Sequence, residues 1–152
     1  MASLVYNRAK NGMWGGNGAA ISLLSDTIKI MLVTSSYTVN PDHDYITASG
    51  AGTNEIVATG YTGGFGGSGR KTLASKTLTE DDTNDRSVFD GADVTWSSIG
   101  GATNATIAAA ILVKEGTSDA DSQLLAYIDI ADTTTNGGDI TIQWNANGIF
   151  YY

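Results

Sequence analysis

Residues 71–99 read KTLASKTLTEDDTNDRSVFDGADVTWSSI, and this stretch decides the fold class. Thr72, Ala74, Lys76 and Leu78 alternate with Leu73, Ser75 and Thr77, the period-two spacing of a strand. A polar run over residues 79–85 interrupts the pattern before Val88 and Phe89 resume it. After Asp90 and Gly91, Val94 and Trp96 stand two apart and so share one face of a further strand. The order is strand, acidic turn, short strand, glycine corner, strand. That is the pattern of a scaffold rather than of catalytic machinery.

Working outward, residues 27–34 (TIKIMLVT) form the strongest strand signal. Ile28, Ile30 and Leu32 share one face while Met31 and Val33 make the other apolar, which predicts a central or covered strand. Residues 107–113 are bounded by glycines and rich in β-branched side chains, so strand is favoured over helix despite three alanines. Further strands are expected at 54–59, at 124–130, at 140–144 with Ile140, Ile142 and Trp144 on one face, and at the terminal IFYY. Residues 4–14 have near-helical spacing weakened by Gly12, and the glycines at 15, 16 and 18 end them. Residues 35–52 read as a long surface excursion holding the single proline, Pro41, and the single histidine, His43.

Seven or eight strands with turn signals between them predict one all-β domain over residues 1–152. It is expected to be an antiparallel β-sandwich, jelly-roll-like or Ig-like, with residues 1–25 as an N-terminal arm or cap. Nineteen glycines against one proline, with abundant Thr, Ser and Asn, fit a turn-rich β protein. A chain of 152 residues can bury a core without staples. It has no cysteine, which excludes a disulfide scaffold, a thiol nucleophile and thiolate metal sites.

The formal net charge is −8, from 16 acids and 8 bases. Such a chain is repelled by phosphate backbones, and its bases are scattered, so neither nucleic acid nor an anionic membrane is an expected partner. No signal-peptide pattern or membrane-length apolar run is present in the sequence.

Chemistry-bearing motifs are few. Gly64-Phe65-Gly66-Gly67-Ser68-Gly69 matches the dinucleotide G-x-G-x-x-G spacing, but a strand pattern follows it where that motif needs a helix N-terminus. A flexible glycine hairpin or contact loop is the expected reading. Asp42-His43-Asp44 offers three metal-ligand types, yet adjacent residues seldom converge on one ion. Glu80, Asp81, Asp82 and Asp85 are the densest acidic cluster, with carboxylates of the kind used in glycoside hydrolysis or calcium binding. Thr83 breaks the calcium-loop order, and a charged turn pairing Asp82 or Asp85 with Arg86 is expected instead. A lone histidine and no G-x-S-x-G elbow leave no hydrolase set. Trp96 and Trp144, in alternating strands, read as core anchors before carbohydrate platforms. No catalytic residue, metal or cofactor is predicted, and the chain is not expected to be an enzyme.

Several phrases taken together, DTIKIMLVTSSYT with DHDY, EIVATGYTGG, residues 71–98, and LLAYIDI with GDITIQWNANGI, resemble a family of small tailed-bacteriophage virion structural proteins. The resemblance runs over residues 26–149 and is to proteins that look like capsid decoration (cement) proteins. It implies binding to a major capsid protein on the outer surface of the virion after synthesis in the host cytoplasm. A homo-oligomer at a capsid symmetry axis is the accompanying expectation. Contact is expected from the N-terminal segment (Tyr6, Trp14), the glycine loop (Tyr61, Phe65, Arg70) and the C-terminus (Phe150, Tyr151, Tyr152). The alternative is a receptor- or glycan-binding module of a phage head or tail fibre.

Overall fold

The computed structural model describes residues 3–16 and 20–152, and it is all-β and antiparallel throughout. In chain order the elements are β1 (Leu4–Val5), α1 (Asn7–Met13), β2 (Ile28–Val33), α2 (Ile46–Ser49), β3 (Lys71–Thr72), β4 (Thr77–Asp81), β5 (Arg86–Asp90), β6 (Val94–Trp96), β7 (Thr106–Lys114), β8 (Gln123–Thr134), β9 (Ile140–Ile142) and β10 (Phe150–Tyr151). A five-stranded sheet runs β1-β8-β7-β2-β3. A three-stranded sheet runs β10-β5-β4, and β6 pairs with β9. One continuous core joins all three, in a sandwich-like single domain.

β2 and β7 sit inside the large sheet because both of their faces are apolar. Ile28, Ile30, Met31, Leu32 and Val33 are fully buried, as is β7 from Ile107 to Leu112 save for a trace at Ala108. The register sets Ile30 against Leu112 and Leu32 against Ala110, side by side within the sheet. β8 pairs with β7 over nearly its whole length, with two irregularities in register.

The 71–99 stretch departs from one long first strand. β3 is two residues, bonded to β2 at Lys29 and Ile30. Ser75 then takes a left-handed φ of 51°, which a regular strand does not allow. The break turns Leu73 into the core and frees β4 to start at Thr77 against Asp90 of β5. The acidic turn follows, with Asp85 in the left-handed region at φ 51°. Val94 and Trp96 are buried as the spacing requires, and the Trp96 indole donates to the Gly69 carbonyl at 2.6 Å.

Three further expectations change. Residues 54–59 do not form a strand: the segment makes single bridges only, Glu55 to Val33 and Ala58 to Tyr61, and turns at Gly60. Residues 35–52 are not a surface excursion, since Tyr37, Ile46 and Ala51 are buried and α2 lies among them. Trp144 lies beyond the end of β9, half-buried, its indole donating to the Ala92 carbonyl at 2.8 Å. The N-terminal segment is a cap rather than a free arm. β1 adds to the edge of β8, and α1 packs on β8 with Ala9 and Gly12 buried.

Candidate functional site

The eight predicted contact residues divide into two groups. Tyr6, Tyr61, Arg70 and Phe150 are turned inward, and Trp14, Phe65, Tyr151 and Tyr152 remain exposed. For the first group a surface contact is corrected to an internal one, because each side chain is used up within the chain.

Tyr6 follows β1 and is fully buried. Its hydroxyl meets that of Tyr37 at 3.0 Å, and the Tyr37 hydroxyl meets His43 Nδ1 at 3.0 Å. Burial pushes both phenols up, and the mutual hydrogen bond adds to the rise at Tyr6. One His43 ring nitrogen is therefore tied to the buried tyrosine pair. Asp42 accepts from Asn7 Nδ2 at 2.7 Å and Asp44 pairs with Arg8 at 3.4 Å, so the Asp-His-Asp triplet splays toward three partners. Among the described residues no group of three His, Asp or Glu side chains is placed to hold a metal ion.

The glycine loop encloses a buried ionic cluster. Arg70 binds Glu55 through Nε at 2.9 Å and Nη2 at 2.7 Å, and reaches Asp119 through both terminal nitrogens. Tyr61 donates to Glu55 at 2.8 Å and accepts from the Leu32 amide at 3.1 Å, while the Gly64 amide also donates to Glu55. Burial and then the Glu55 charge drive the Tyr61 phenol up. The loop closes on itself through Gly69 N–H to the Thr62 carbonyl at 2.9 Å. A Cβ on Gly69 would stand 2.7 Å from the Tyr61 ring, and one on Gly67 would stand 2.2 Å from the Thr62 carbonyl oxygen. Gly67 and Gly69 therefore permit close packing, while Gly64 and Gly66 supply positive φ at an open turn. The loop leads into β3 rather than a helix, so it lacks the anion-binding end of a dinucleotide site. Glu55 lies 15 residues from Arg70 and Asp119 lies 49, separations that no local pattern reveals.

The acidic turn is likewise occupied. Asp81, rather than Asp82 or Asp85, takes Arg86 Nε at 2.8 Å, directly across the β4–β5 register, and also accepts from Asn84. Asn84 and Arg86 lower its pKa, in that order.

The exposed aromatics collect around β10. Trp14, 77% exposed, follows α1 and meets the Tyr152 ring edge-on at 6.3 Å. Tyr152 also stacks on Phe150 at 6.3 Å, and Phe150 packs on Phe89 at 5.1 Å in the core. Tyr151, 57% exposed, points to the other face of the same strand, and the Arg86 guanidinium sits 4.3 Å over its ring. Trp14 and Tyr152 thus meet at one face of the edge strand β10, and Tyr151 lies at its other face. Phe65 stands apart, on the glycine loop. Arg86 was predicted only as a turn cation; the cross-strand register between β10 and β5 is what places it beside Tyr151.

Compared with protein-family models, with curated proteins and with solved structures, the chain has no match.

Proposed function

We propose that this chain is a phage virion structural protein, a capsid decoration protein that binds the major capsid protein and stabilises the mature head. The observation that supports this reading most is the exposed Trp14–Tyr152 pair at one face of β10, with the exposed Tyr151 at the other. Exposed Trp and Tyr held rigidly from below make strong contact anchors, because large areas are buried with little loss of side-chain freedom. Phe150 and Phe89 supply the rigid floor, and Arg86 fixes the Tyr151 ring. The sequence resemblance to small phage virion proteins points the same way.

The chemistry of a cement protein asks for little else. Binding only to the folded, expanded shell stabilises that state by mass action. A net charge of −8 suits the outer surface better than one facing packaged DNA. Copies arranged about a capsid symmetry axis would each contribute one such patch.

The test is occupancy on purified heads together with location by electron microscopy of the particle. Density for the chain on the outer shell supports the proposal. Its presence only on a fibre, with binding to host surface polysaccharide, would replace it with the glycan-binding reading.

A further inference from the structure

The three-stranded sheet has two edges. β10 carries the exposed Tyr151 at one, while β4 at the other is paired with β5 alone among the described strands. Ser87 and Tyr152 exchange both of their backbone bonds, so the peptides of Ser87 face β10 and those of Arg86 and Val88 face β4. In register, Asp81 and Thr79 bond to β5, which leaves the peptides of Leu78 and Glu80 pointing out from the free edge. Residues 77–80 are exposed, the β4–β5 register is unbroken, and β4 contains no proline. The edge therefore lacks the usual devices that stop a strand from pairing again.

The apolar row of the inner face ends unfinished at this edge. Phe150, Phe89 and Leu78 stand opposite one another on β10, β5 and β4, and so share one face. Phe150 and Phe89 are buried against each other, whereas Leu78 is 40% exposed. Lys76 and Glu80 flank it at alternate positions. Run in the opposite direction, Lys-x-Leu-x-Glu complements itself. An antiparallel pair centred on Leu78 sets leucine against leucine and each Lys76 against a Glu80 of the other copy. Lys76 also donates to the Asp26 carbonyl, and the Asp26 carboxylate is paired with Lys114 at 3.0 Å, so an ammonium with donors to spare faces the incoming acid. Asp81 and Asp82 fall opposite Ser75 and Ala74, clear of the other strand's acids. Centring the pair on Thr79 would set Leu78 against Glu80, and centring it on Glu80 would oppose like charges.

We infer that β4 is a self-association edge: two copies pair antiparallel about a two-fold axis at Leu78 and join their three-stranded sheets into one. Such an interface is isologous, so each favourable cross-strand pair occurs twice. The net charge of −8 opposes approach at long range, but fields beyond about 8 Å are screened at physiological salt, and the groups brought together have opposite sign. The pairing uses neither Trp14 nor Tyr151 and leaves β10 free at both ends of the joined sheet. It stands whether or not the chain coats a capsid.

The chain has no cysteine, so single introduced thiols report the register. Thr77 of one copy stands opposite Thr79 of the other as a non-hydrogen-bonded pair, with Cα atoms about 4.5 Å apart and within disulfide reach. The two Thr77 residues, or the two Thr79 residues, lie beyond that reach. Under glutathione disulfide, mixed Thr77→Cys and Thr79→Cys chains should form the crossed disulfide at least about tenfold faster than either variant alone, because the thiols are held together. Val57→Cys, an exposed position outside the edge, sets the collision rate. Sedimentation equilibrium up to millimolar chain should show a monomer–dimer equilibrium. Glu80→Lys should weaken it about tenfold by turning two attractive pairs repulsive, and adding Lys76→Glu to the same chain should restore it. If that double variant unfolds, the crossed disulfide decides. Equal cross-linking of all the thiol variants, a monomer at millimolar chain, or a dimer unchanged by Glu80→Lys would each overturn the inference.

Discussion

The glycine loop and the terminal aromatics both set rings beside small or polar residues, yet the fold buries Tyr61 of the one and exposes most of the other. In residues 60–70 the Tyr61 ring and the Arg70 cation turn inward, and Phe65 stays exposed at the tip. Tyr61 and Arg70 are buried on Glu55, and the glycines allow the backbone to close over them. Around β10 the rings of Trp14, Tyr151 and Tyr152 stay outside, and only Phe150 reaches the core. The difference lies in what each segment finds across the fold. The loop meets two carboxylates that would be costly to bury alone, whereas β10 meets a strand already satisfied on its inner face. A ring beside glycines is therefore no guide to contact until its partners are known.

The sharpest way to break this contrast is Arg70→Ala. It leaves Glu55 buried without its cation and Asp119 without its guanidinium, and should cost about 3–5 kcal/mol in urea unfolding. A loss under about 1 kcal/mol, the ordinary scale of a surface pair, would mean that the cluster is solvated. The buried phenols give a second, pH-dependent effect. Burial holds Tyr6, Tyr37 and Tyr61 above the ordinary phenol range in the folded chain. Their contribution is then intact below about pH 10, the unfolded value, and is lost as pH rises beyond it. Phenolate absorbance and the loss of folded circular dichroism should rise together above pH 10. Ionisation of every tyrosine near pH 10 with the fold intact would refute that account.

Tyr61→Phe is milder. It leaves the Leu32 amide without a partner, while both Glu55 oxygens keep their Arg70 bonds, at about 1–3 kcal/mol by the same urea measurement. Trp14→Ala is at the other end of the scale. With 77% of its surface exposed, its loss should move stability by no more than about 0.5 kcal/mol. Deleting residues 1–14 is the wrong tool for probing this surface, since it also removes Tyr6 and Ala9 from the core and β1 from the sheet.

The parts of the fold legible in the sequence are those set by local pattern. β2, β7 and β8 announce themselves because runs of branched apolar residues between turn signals have few other uses, and Val94 with Trp96 fixes a buried face by spacing alone. β1, β3 and β10 are two residues each and exist only because a longer strand offers them an edge. Ser75 hides the break between β3 and β4, since nothing about a serine advertises a left-handed φ. For the candidate site, the aromatic residues at the termini were legible as contact elements, but their meeting was not. Trp14 and Tyr152 are joined by the docking of α1 and β10 on separate sheets, a tertiary event with no local trace. The same holds for Arg70, whose partners lie far along the chain.

The central claim rests on the exposed aromatic surface, and one measurement addresses it directly. Expanded phage heads lacking this protein are incubated with the wild-type chain or with the Trp14→Ala/Tyr151→Ala double variant, and bound copies per head are counted after sedimentation. The proposal predicts that wild type decorates the heads to saturation while the variant, folded and equally stable, falls to background. Equal occupancy by both, or none by either, would contradict it.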